Sequence, residues 1–296
     1  MVEGEIRNAR VIAVVNAGAG CVVAGAAAPR TAKSFCYKVF RRRGPPLMYH
    51  TTGFTADEIT DLVAIIHRAC GRARTWPPSL GLRRCVCVTS AYLRRNRVQQ
   101  ELAEAFGTSQ STISRAIGAL TPIIGTVLAQ WIPVAEEIDP ASSYILDGTL
   151  LPCWTWAGHR ELYSGKHKTT GVNVQILCDL DGNPVWISDP VPGRDHDMTA
   201  PAVSGLLDGL DPSKLLGDKG YQGSGMITPV KNPKGRDLHE SDQNYNADVN
   251  RLRVVVERVI ANLKTWRILH TDYRRPLATF EEIITATIGL FFYPLR

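Results

Sequence analysis

No two of the seven cysteines are spaced Cys-x-x-Cys, and their number is odd. Positions 21, 36, 70, 85, 87, 153 and 178 therefore offer neither the paired ligands of a zinc site nor an even disulfide framework. Thiols buried in a reducing compartment fit better. Cys85 and Cys87 sit in "CVCV", where alternation predicts a strand with both thiols on one face. A membrane span is also missing: the most apolar stretch, "VIAVVNAGAGCVVAGAAAPR" from Val11, is short and interrupted by Asn16 and several glycines. Its "GAG" is no dinucleotide loop, because the third glycine of G-x-G-x-x-G would fall on Val23. No charge excess lies outside the first 47 residues. Eight Lys/Arg against Glu3 and Glu5 in that segment account for the whole formal charge of +6. Net charge thus says nothing about the partners of the remainder. There is no internal repeat.

Two readings stand for residues 1–47. Arg7 and Arg10 before an apolar core, with Ala26-Ala27-Ala28 behind it, have the outline of a signal peptide. Glu3 and Glu5 within its n-region argue against that, and we read 1–47 as a low-complexity, disordered extension of a cytoplasmic protein. The remaining chain, with 44% hydrophobic and 21% charged residues overall, can bury a core and divide into two domains.

Residues 48–140 read as helical. Thr55-x-x-Glu58 is a capping box opening a helix with Ile59, Leu62, Val63, Ile65 and Ile66 on its apolar side. Between residues 62 and 100 there are eight arginines and no acid, either a solvated basic face or a phosphate-contacting one. Residues 97–120 carry a helix-turn-helix pattern. Leu102, Ala103 and Phe106 precede a turn at Gly107, Ser109 caps the second helix, and Ile113 and Ile117 face back. Gln110, Ser111, Ser114 and Arg115 project the other way, as side chains that reach base edges and phosphates in a major groove do. A connecting helix is expected over 121–140, ending near Asp139-Pro140.

From residue 141 to 296 the pattern changes to strands followed by helices, an α/β or α+β layer domain. "SSYILDGT" predicts a strand over 143–147 that delivers Asp147 at its end. Val172, Val174 and Ile176 alternate before an Asp181-Gly182 turn and return through Val185 and Ile187, a hairpin. "LLGDKGYQG" places Asp218 behind a short strand, among glycines that admit a large ligand; an ordinary turn is the alternative. "RLRVVVERVIANLK" is a helix with Glu257 among valines, where a carboxylate is costly unless paired or holding a cation. The alternative is a surface glutamate paired with Arg253. A last helix is expected behind a Thr279-x-x-Glu282 cap. Asp147, Asp218 and Glu257 brought together would repel one another and require metal. Hard oxygen ligands suit Mg²⁺ or Mn²⁺, and two such ions serve phosphodiester cleavage.

The stretches "YILDGT", "PVPGRDHDMTA", "LLGDKGYQG" and "RLRVVVERVIANLK", in that order, resemble the DDE transposases of bacterial insertion sequences, specifically the insertion-sequence-five group, akin to Harbinger-type nucleases. The last contains Arg253-x₃-Glu257-x₆-Lys264, a spacing typical of these enzymes; Asn250 stands where relatives often have tyrosine. The resemblance implies a ribonuclease-H-like catalytic domain, a mixed sheet flanked by helices, behind an all-α helix-turn-helix domain. It implies Asp147, Asp218 and Glu257 as the catalytic, metal-binding triad, with Asp197 of "RDHD" near the site and Arg253 and Lys264 meeting DNA phosphates. Trp154, Trp156, Tyr163, Lys166, His167 and Lys168 are candidates for gripping DNA ends or, for the tryptophans, core packing. The function implied is binding of terminal inverted repeats in double-stranded DNA, followed by metal-dependent hydrolysis and strand transfer by a homo-oligomer without a membrane role. Two rivals are an endonuclease of the same fold without strand transfer, and a decayed DNA-binding protein.

Overall fold

The computed structural model describes residues 49–71, 73–154, 158–195, 205–233, 235–271, 273 and 275–295. The 1–47 extension, Trp156, His196 and Asp197 lie outside them.

Five helices come first: α1 (Tyr49–Thr52), α2 (Ala56–Cys70), α3 (Gly81–Arg95), α4 (Gln99–Ala105) and α5 (Gln110–Leu128). The capping box forms as expected: Thr55 Oγ1 accepts from the Glu58 amide, and the Glu58 carboxylate accepts from the Thr55 amide. "CVCV" is helical, not a strand. It lies in α3, where Cys85 through Leu93 are buried without interruption, so helices surround it on every side. The short alternating run could not reveal that. Burial pushes the Cys85 thiol up to about 11 and the Cys178 thiol to about 12, so both stay protonated. The expected break at residue 121 is absent. α5 runs through Pro122, and the segment after Leu128 consists of short 3-10 turns at Ala129–Trp131 and Ala135–Glu137. The stretch 110–137 is long and apolar enough to cross a membrane. Its buried residues, Ile113, Ile117, Leu120 and Ile124 among them, belong to the protein core.

The sheet comprises β1 (Tyr144–Pro152), β2 (Tyr163–Ser164), β3 (Thr169–Asp179), β4 (Pro184–Ile187), β5 (Val191–Pro192) and β6 (Leu215–Leu216). Long β3 pairs antiparallel with β1 along one edge, and with β2, β5 and β4 along the other. The predicted hairpin forms, with Gly182 at φ +89° in its turn, where other residues are strained. β6 adds parallel to β1, making the sheet mixed. Ile145, Val174, Ile176 and Leu216 face the core shared with the helices, whereas Leu146, Leu177 and Leu215 face a second cluster with Trp186 and Tyr221.

Two helices close the fold: α6 (Glu240–Leu263), whose Val256, Val259 and Leu263 pack on the first face, and α7 (Phe280–Phe292). The Thr279 cap is not made. Its hydroxyl donates to the Pro276 carbonyl while its backbone has already turned near-helical. α7 packs on α5, where a Cβ on Gly289 would lie 2.8 Å from Leu128 Cβ. Phe54 meets Trp266 and Tyr293 at ring distances of 5.6 and 5.7 Å, so one core joins the first helices to the last.

Candidate active site

Asp147 was expected at a strand end; it stands in the middle of β1, opposite Ile176 of β3. What ends there is the parallel pairing. Tyr144 pairs with Leu215 and Ile145 with Leu216, so the same register, continued two places, sets Asp147 beside Asp218. Side chains alternate along strands, and both acids therefore point to the face on which Ile145 and Leu216 pack. Asp218 leaves β6 and caps a 3-10 turn at Lys219–Tyr221, its Oδ1 accepting from the Gly220 amide at 2.7 Å. The glycine before it has a different reason from the one expected. A Cβ on Gly217 would meet Tyr221 Cδ2 at 2.9 Å, so its smallness admits the tyrosine ring. That ring is fully buried, and its hydroxyl donates to Gln175 Oε1 beneath the acids.

α6 crosses this face and presents Arg253, whose Nη2 lies 3.0 Å from Asp147 Oδ2 with both side chains largely enclosed (13% and 16% exposed). Asp147 Oδ1 accepts from the Gly148 amide at 2.9 Å. Burial raises the Asp147 carboxyl above its ordinary range; Asp218 adds to the rise, while Arg253, the Gly148 amide and Lys166 oppose it. Burial thus outweighs the arginine. Arg253 Nε is buried with no acceptor among the described residues.

Glu257 follows Arg253 by four residues, hence on the same side of α6. Contrary to the expectation of a carboxylate sunk among valines, it is exposed. Val256 and Val259 take the buried stripe, and Glu257 lies just off it. The alternative pairing with Arg253 is not made either, since that guanidinium is directed to Asp147. Among the described residues no three His, Cys, Asp or Glu side chains are close enough to hold a metal ion. The structure brings together Asp147, Asp218 and Arg253, with Glu257 one helical turn away. Lys264 caps the end of α6, half-buried, its ammonium pKa lowered by burial.

Of the other candidates, Asp195 sits beside Arg194 at 3.8 Å, and its carbonyl accepts from Asn173. Trp154 and Tyr163 are about half exposed, and Lys166, in the turn before β3, lies close enough to act on Asp147. That electrostatic role had no signal in the sequence, because it depends on where the turn folds back. Gln110, Ser111 and Arg115 are exposed on α5 and Ser114 is partly so. Gln110 donates to Gln99 of α4 at 2.7 Å, tying the two helices together.

A carboxylate whose pKa is raised by burial and by a second acid is relieved by a divalent cation, and both acids present hard oxygen donors. This pair fits such an ion.

Residues 146–291 match the family model described as DDE superfamily endonuclease. The chain is 28% identical over 224 residues to the putative transposase for insertion sequence element IS112 of Streptomyces albus G, covering 74% of this chain and 83% of that one. It is 27% identical over 228 residues to the probable transposase for insertion sequence element IS702 of Microchaete diplosiphon, covering 74% and 82%. No solved structure matches. Within the matched region fall Asp147, Asp218 and Arg253, which the fold brings to one face of the sheet, and Glu257 one helical turn along α6; residues 146–291 are similar to the DDE superfamily endonucleases, and the chain to transposases of insertion sequences.

Proposed function

We propose that the protein is the transposase of a bacterial insertion sequence of the insertion-sequence-five group, working in the cytoplasm on nucleoid DNA. The observation that carries this reading is the register placing Asp147 beside Asp218, with Arg253 of α6 on the same face. Antiparallel β4, β3 and β1 followed by parallel β6, with α6 across them, support a ribonuclease-H-like catalytic domain.

Asp147, Asp218 and Glu257 would hold two ions of the Mg²⁺ or Mn²⁺ class, with Asp197 as a further candidate ligand. When bound, such ions supply Lewis acidity toward the scissile phosphate and the oxygen attacking it. The chain's own residues position the DNA. Arg253 already stands against an acid of the site and is able to neutralise a phosphate oxygen there. Lys264, one end of α6 away, meets the backbone further along. Asp218 is fixed by its bond to the Gly220 amide, so this carboxylate is oriented before substrate arrives. α4 and α5, joined through Gly107 at φ +59°, form the helix-turn-helix that binds terminal inverted repeats. Gln110, Ser111, Ser114 and Arg115 face the groove. Water first frees a 3′-hydroxyl at the element end; that hydroxyl then attacks a target phosphate and displaces the adjoining 3′ oxygen. Joining two ends requires a homo-oligomer.

Asp218→Asn tests this reading. Asparagine retains the acceptor for the Gly220 amide, so the turn survives while the charge is lost. Cleavage of a labelled element-end duplex in Mg²⁺ should fall at least a thousandfold, with duplex affinity unchanged. Undiminished cutting removes Asp218 from the chemistry. An assay for joined products separates transposase from simple endonuclease.

A further inference from the structure

A wide cavity lies away from the acids. It is an open groove of about 620 Å³ between the end of α3 with the start of α4 on one side, and the segment after α6 on the other. Its walls carry Arg95 and Arg97 on the first side and Arg267 and Arg275 on the second, against one acid among the described residues, Glu101. Glu101 compensates little. Its pair with Arg97 is 3.5 Å long between side chains more than half exposed. Among the described residues no carboxylate lies within ion-pair distance of Arg267 or Arg275, although Arg275 acts from further off on the partly buried Glu282, opposing the rise of its carboxyl.

The walls are held at a fixed separation. Asn96, in the left-handed conformation that ends α3, donates from Nδ2 to Thr271 Oγ1 at 2.6 Å, and Thr271 donates on to the Arg267 carbonyl at 2.7 Å. Behind them Arg94 stacks on Trp266 at 5.1 Å and donates to Thr265, and Arg95 donates to the His50 carbonyl. Arg94 and Arg95 are thus braced by the fold, whereas Arg97 and Arg267 reach into solvent. Tyr92 forms a buried floor. Among the described residues the groove carries four guanidinia and one carboxylate, a balance that suits a chain of anions.

Its place says which chain. On one side it borders α4, the first helix of the unit assigned to DNA; on the other it begins three residues after Lys264. Along α6 the rise of about 1.5 Å per residue carries the chain roughly 9 Å from Glu257 to the helix end at Leu263, and the groove begins beyond that end. We infer that the groove seats the phosphate backbone of double-stranded DNA, gripping the duplex between the helix-turn-helix and the carboxylates without reading its sequence. This inference rests on the proposal that DNA is the substrate and adds a contact surface to it, with Arg267 and Arg275 as new phosphate-binding residues.

The test is fluorescence anisotropy with two 30-base-pair duplexes, an element end and an unrelated sequence, over a salt series. The proteins are the wild type, Arg267→Gln, Arg267→Gln/Arg275→Gln and the double lysine variant, each checked by thermal melting. Each lost contact should lower the slope of log affinity against log salt by about 0.9, so the double glutamine variant should lose nearly 2. Affinity at 0.1 M salt should weaken about tenfold or more on both duplexes alike, and the lysine variant should recover most of it. Unchanged slope and affinity in a folded variant, or a loss confined to the element-end duplex, overturns the groove assignment. Should the double variant fail to fold, exposed Arg267→Gln alone decides the matter through a slope change of about 0.9. A wild type that binds neither duplex contradicts the proposed function itself, a separate outcome.

Discussion

Gly217 shows how much of this site depends on one missing methyl group. Its neighbour in space is the ring of Tyr221, which fills the second core cluster and donates to Gln175 directly under β1. A Cβ at 217 would lie 2.9 Å from the ring edge, and the ring is fully buried and cannot swing aside. Gly217→Ala should therefore destabilise the protein by about 1–3 kcal/mol, read from urea midpoints, because overpacking must be relieved by moving the tyrosine or the strand. Since Asp218 is the next residue, cleavage activity should fall further than stability does. A variant as stable and active as the wild type contradicts this packing. At this scale the sequence was legible in part. Asp147 and Asp218 stood out because carboxylates followed apolar strand patterns, and the fold puts them side by side. The purpose of Gly217 was not legible, since its partner is an aromatic ring on the far side of a turn. Nor was the exposure of Glu257. On a helix a difference of one residue is about 100° of rotation, and the valines on either side mark the buried stripe without including it.

Helices announced themselves through caps more faithfully than through composition. The Thr55–Glu58 box and the Ser109 cap both form, and Gly107, expected at a turn, stands in one at φ +59°. Where no cap chemistry marked a boundary, the reading failed. "CVCV" took helical form within α3, and α5 continued through Pro122 because packing against α3 and α7 holds it. Thr279 had the cap pattern but turned its hydroxyl to Pro276, a local bond that competes with capping. The Ser109 cap gives a test at this scale. Its Oγ accepts from the Thr112 amide and also contacts the hydroxyls of Ser111 and Thr112, on the helix assigned to the major groove. Ser109→Ala should cost about 0.5–2 kcal/mol in urea unfolding, and Ser109→Asn should restore most of it. The alanine variant should also bind the element-end duplex more weakly. Equal stability of all three proteins contradicts the cap.

Across the whole molecule, the helices before residue 140 and those after 240 share one hydrophobic cluster, sealed by Phe54, Trp266 and Tyr293 and by a bond from Tyr293 Oη to the Glu58 carbonyl at 3.0 Å. The helices proposed to bind DNA and the carboxylates are therefore carried on one packed body, and the basic groove lies along the seam between them. Such a body can hold a duplex end at a fixed distance from the acids, which cutting at a defined position requires. This arrangement was only half visible in the sequence: the change of pattern near residue 140 showed two kinds of structure, and the shared core does not follow from either one. As proposed, β1, the turn after β6 and α6 supply Asp147, Asp218 and Glu257 to the same cations. Mn²⁺ binding measured by loss of the free-ion electron paramagnetic resonance signal tests it directly. Saturable uptake is predicted for the wild type, lost in Asp147→Asn and in Asp218→Asn, and at least tenfold weaker in Glu257→Gln. Uptake by Glu257→Gln equal to that of the wild type, or undiminished uptake by either aspartate variant, would contradict it.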